Sequence, residues 1–116
     1  MWVFHTFFIF KMNKYFIIFA ILLFTFNVLD IVSTKIILDE GGFEGNPVAR
    51  ALIEGIGFWW SALIKMIICL FVIGALFWIG IHNPLLAVIA LAFAVGVAWA
   101  VVCGNVLVIY HYWMTL

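Results

Sequence analysis

Apolar residues in this 116-residue chain fall into long runs divided by short polar breaks. Tyr15 to Leu38, Phe58 to Ile81 and Leu85 to about Tyr110 are each long enough to cross a bilayer as a helix, which takes about 20 residues. The pattern predicts transmembrane helices at about 15–38, 58–81 and 85–110. Lys11, Asn13 and Lys14 precede the first, Asp39 to Gly57 separates the first two, and His82-Asn83-Pro84 is the turn before the third. The 32 residues from Leu85 onward carry no charge, more than one crossing requires and fewer than two crossings and a turn. One long span is expected there, with a kink or an end at Gly104-Asn105 left open.

The breaks have their own logic. Asp39 to Gly45 holds three acidic residues and three glycines, which stops a helix and starts a polar loop. Asn46-Pro47 reads as a helix start, since Asn is a favoured cap and Pro at the first helical position lacks only an N–H that would be unpaired anyway. A short interfacial or re-entrant helix is predicted at about 47–54, ended by Gly55 and Gly57. The aromatic-rich residues 1–10 are too few to span; they either lie in the interface or lengthen the first helix. Met12-Asn13-Lys14-Tyr15 has the look of an ordinary membrane-protein start, which leaves open whether the first eleven residues are needed. No small-x-small cleavage site follows the run from Tyr15, which favours an uncleaved span over a signal peptide.

Composition narrows the class. With 70% hydrophobic and 9% charged residues, the chain is expected to be an integral membrane, all-α helical bundle, one transmembrane domain over 1–116 with no room for a soluble one. A net charge of zero and the lack of a Lys/Arg run speak against nucleic acid as a partner. The expected surroundings are the lipid bilayer and other membrane helices. Cys69 and Cys103 sit in apolar runs without metal-ligand spacing and read as small buried residues, and neither a metal nor a cofactor is expected.

Polar residues inside the spans carry the chemistry. Asn27, Asp30 and Thr34 share one face of the first helix, with Ser33 beside them, and that face must meet protein because lipid offers a carboxylate no partner. Counting from the loop at about 1.5 Å per residue puts Asp30 about 12 Å deep and Lys65 of the second span about 10 Å deep. The same count up the third span brings Asn105 near the level of Thr34, with His111 farther out. Asn27, Asp30, Thr34, Lys65 and Asn105 are therefore expected to form an intramembrane polar site, with Glu44, Asn46 and Arg50 over its mouth. The site reads first as a buried ion pair holding helices together. A pocket open to the loop for a polar headgroup, small solute or ion, or a proton or cation path, would use the same residues. No G-x-S-x-G, H-E-x-x-H or Cys/His pairing is present, and His5, His82 and His111 lie near different span ends, so catalytic residues are not expected. Ala92, Gly96, Ala100 and Gly104 recur every four residues, a stripe expected to pack within this bundle in preference to between subunits or copies.

Asn27-x-x-Asp30-x-x-Ser33-Thr34, then Gly42-x-Glu44-x-Asn46-Pro47, then Lys65 in the next span, resembles the pattern of a family of unknown function: short bacterial, archaeal and phage-encoded membrane proteins. The resemblance covers about the first 65 residues. It implies an integral membrane bundle in a prokaryotic cytoplasmic membrane and treats these residues as a unit, but implies no activity. Members of that family are often read as four-span proteins, from which the 32-residue tail departs. The expected role is that of an accessory subunit or modulator acting through helix contacts; the alternative is a solute, ion or proton transporter or channel component built on Asp30 and Lys65.

Overall fold

The computed structural model describes residues 2–42 and 44–115, with side chains for 13–42 and 44–115. Four helices follow in order: α1 (Trp2–Asp39), α2 (Pro47–Ile56), α3 (Phe58–His82) and α4 (Pro84–Thr115), with no strand among the described residues. Three stretches are long and apolar enough to cross a membrane: Asn13–Asp39, Phe58–His82 and Pro84–Thr115. Residues 2–12 lengthen α1 rather than forming a separate element; their side chains, those of His5 and Lys11 included, lie outside the described residues. At about 57 Å, α1 exceeds the roughly 30 Å hydrocarbon core, so it must tilt or protrude.

Each helix end has a local cause. Gly41, at φ +89°, closes α1: its N–H donates to Leu38 O (3.1 Å) and the Gly42 N–H to Ile37 O (2.9 Å). This is a Schellman closure, which requires a left-handed residue at the first position beyond the cap. The Asn46 side chain accepts from Val48 N (2.9 Å) and Ala49 N (3.4 Å) and caps α2, while Glu44 Oε1 accepts from Asn46 N (3.1 Å). The short helix runs through Gly55 and stops only at Gly57, which at φ +93° ends α2 and starts α3. Asn83 Oδ1 accepts from Leu86 N (3.2 Å) as α4 opens at Pro84. α4 passes through Gly104-Asn105 as unbroken helix.

α1 and α4 share the largest interface, α3 leans on both, and α2 rests on α3. Asn13 and Phe16 share a cavity wall with Pro84 and Ala87, and Asp30 meets Asn105, so α1 and α4 run parallel. α3 returns antiparallel between the loop and the turn. Leu23, Cys69 and Leu91 form the apolar core, with Phe16, Phe19, Ile73 and Leu76 packed around them. The Phe16 ring meets Phe77 edge-on (6.0 Å) and Phe26 meets Trp99 (5.2 Å), joining α1 to both neighbours.

The small-residue stripe does not pack inside the bundle. Gly96, Ala100 and Gly104 are exposed and Ala92 half-buried, and a Cβ at Gly96 or Gly104 would meet nothing within 4 Å. Four-residue steps drift about 40° each, so a stripe of four cannot hold one face of a straight helix. The inner face of α4 instead follows mixed three- and four-residue steps through Ala87, Leu91, Ala94, Ala98, Val102, Asn105 and Ile109, and close approach occurs where Gly80 passes Ala87.

Candidate functional site

Five polar side chains from three helices meet on the loop side of the apolar core. α1 presents Asp30, Ser33 and Thr34 from one face, α3 presents Lys65 and α4 presents Asn105. Lys65 Nζ lies 2.6 Å from Asp30 Oδ2, an ion pair whose side chains are 34% and 14% exposed. Asp30 Oδ1 accepts from Asn105 Nδ2 (2.8 Å) and from Thr34 Oγ1 (3.4 Å). Asn105 Nδ2 also lies 2.9 Å from Ser33 Oγ and 3.4 Å from Thr34 Oγ1. Ser33 Oγ in turn donates to the Asp30 carbonyl (3.1 Å). Both carboxylate oxygens are thus occupied, and the charge is balanced inside the bundle, as a low-dielectric interior demands.

The remaining residues read from the sequence sit at distinct places. Asn27 is half-buried and its amide donates to Met66 Sδ (3.1 Å), so it does not join the Asp30 network, although it lines the same cleft. Glu44 reaches the wall of a small cavity beneath α2, Asn46 is taken up in the helix cap, and Arg50 is half-buried on α2 outside both cavity walls. Ser33 belongs to the network and Ser61 to the cavity wall. Helical spacing already placed Ser33 three residues from Asp30 and Ser61 four from Lys65.

Two cavities flank Lys65. The first, about 60 Å³ and enough for water, lies under α2 between Thr34, Glu44, Ser61 and Lys65 on its polar side and Leu52, Ile53 and Phe58 on its apolar side. The second is a cleft of about 430 Å³ among α1, α3 and α4, with Asn27, Asp30 and Lys65 at one end and Leu23, Val72, Phe93 and Val97 along its length. Toward the amino-terminal side, Leu23 and Cys69 of its wall join Leu91 in the apolar core, which closes the bundle. On the loop side, at the end of α1, Lys35 is outside the cluster altogether: it pairs with Asp39 (2.9 Å) and sits over the Phe58 ring (5.5 Å), tying the end of α1 to the start of α3.

Among the described residues no group of three or more His, Cys, Asp or Glu gathers where a metal could bind. His82 ends α3 and His111 lies near the end of α4, at opposite ends of the bundle. Cys69 and Cys103 are free thiols.

A family model described as a domain of unknown function, DUF5658, matches residues 21–115. The chain belongs to this family. The match runs through all three spans, including the third, where the sequence pattern alone carried only generic hydrophobicity. No curated protein and no solved structure matches the chain. The family's description assigns no activity, and the three apolar helices are a feature of this chain.

Proposed function

We propose that the chain acts through helix contacts, as an accessory subunit or modulator of a membrane complex or as a homo-oligomer. The observation that carries this reading is the outward face of α4, where Gly96, Ala100 and Gly104 stand exposed with open space over both glycines. Small residues let a second helix approach the backbone closely, which is how association gains packing energy where lipid removes the hydrophobic drive. The saturated Asp30 network fits the same reading as internal glue that stiffens the presenting surface. Gly96→Leu with Gly104→Leu should leave the thermal stability of the isolated chain unchanged and abolish co-purification of a stoichiometric partner or of a second, differently tagged copy. Unchanged recovery in that double variant would end this reading.

A transporter reading draws support from one feature, the two cavities that reach Lys65 from different directions. The apolar core below them weighs against a conducting path through a single copy. Solute or ion flux in proteoliposomes, lost in Lys65→Met, would favour transport over helix contact.

A further inference from the structure

The Asp30–Lys65 pair is asymmetric in what it leaves unsatisfied. Asp30 has both oxygens engaged, but an ammonium has three protons, and among the described residues the one partner of Lys65 is Asp30. Two donors remain, in a segment where lipid supplies no water and an unmade hydrogen bond is costly. They border the cleft of about 430 Å³, a volume in the range of small-molecule sites. The cleft opens toward lipid, since its wall residues Ile68, Phe93, Val97 and Val101 are among the exposed apolar side chains.

We propose that this cleft holds one acyl chain of a glycerolipid from the leaflet on the α2 side, with the chain's ester carbonyl accepting a hydrogen bond from Lys65. Charge selects the acceptor: Asp30 already neutralises the ammonium, so a phosphate drawn to it would meet a carboxylate, whereas a carbonyl brings a lone pair and no charge. Depth agrees. Lys65 is about 8 Å along α3 from Trp60, an exposed indole of the kind that settles at a bilayer interface, and its long stem shortens the distance to the ester region. Shape selects a chain over a partner helix, because a helix with its side chains is about 10–12 Å across and α3 and α4 still touch each other. None of the four stripe residues lines the cleft, so the variants at Gly96 and Gly104 and the lipid labelling test the two proposals separately.

The test uses the full chain in phosphatidylcholine vesicles containing a trace of phosphatidylcholine with a photoactivatable diazirine part-way along one ester-linked chain. After illumination, mass spectrometry compares adducts on Val72, Phe93 and Val97 with adducts on the outward residues Phe71 and Leu107. Cleft adducts should exceed outward ones at least fivefold, and Ala98→Trp, which fills the cleft from α4, should remove that excess. Replacing the probe by its ether-linked analogue, which lacks the carbonyl, should lower the excess at least threefold in the unaltered chain. Equal labelling of cleft and outward residues would overturn the proposal, as would an excess identical for ester and ether probes, the result expected if water in the cavity under α2 satisfies Lys65. The ether arm needs no variant, so a folding failure of Ala98→Trp does not blunt the test.

Discussion

Removing one member of the Asp30–Lys65 pair strands the other, and the structure sets how much that should cost. An uncompensated buried charge typically costs about 3–5 kcal/mol. Lys65, a third exposed, loses less than that when Asp30→Asn takes away its counter-charge, and the expected loss is about 2 kcal/mol. Lys65→Met leaves a more deeply buried carboxylate that keeps Asn105 and Thr34 as donors, and should cost about 3 kcal/mol. Independent losses would sum to about 5 kcal/mol, but the double variant strands neither charge and should lose only about 3, a coupling of about 2 kcal/mol. Cys69, buried in the core against Leu23 and Leu91, is a built-in reporter. In a Cys103→Ala background, its maleimide reactivity can be followed as the chain in mixed micelles is titrated with sodium dodecyl sulfate. Strictly additive losses would refute the coupling, and so would single losses below about 0.5 kcal/mol, within the range of ordinary surface substitutions.

Asn105→Leu removes the donor shared by Asp30, Ser33 and Thr34, and should cost about 1–3 kcal/mol in the same titration while leaving the Lys65 contact in place. Asn46→Ala should cost about 1 kcal/mol, seen as faster amide exchange at Val48 and Ala49 without change in α3; equal exchange would mean that α2 is held by packing alone. Gly41→Ala places a Cβ at φ +89° and should lower stability by about 1–2 kcal/mol, with exchange at the end of α1 as the readout. Three spans put the termini on opposite sides; single-cysteine accessibility labelling that finds both termini on one side would contradict this.

Much of this protein is legible without coordinates because a bilayer imposes few rules and imposes them strictly. Run length sets the number of crossings, an intramembrane carboxylate must face protein, and Asn46-Pro47 and Gly41 encode helix ends through local hydrogen bonding alone. Helical periodicity likewise puts Asn27, Asp30 and Thr34 on one face, since that requires only the geometry of α1. What periodicity cannot supply is the rotation of each helix about its own axis, which packing decides. That rotation sets Asn27 against Met66, outside the Asp30 network, brings Ser33 up to Asn105, and leaves Gly96 and Gly104 facing out while Ala87, Ala94 and Ala98 make the close contacts. The cleft beside Lys65 is still less local, because it exists only where three helices diverge around an ion pair that none of them forms alone.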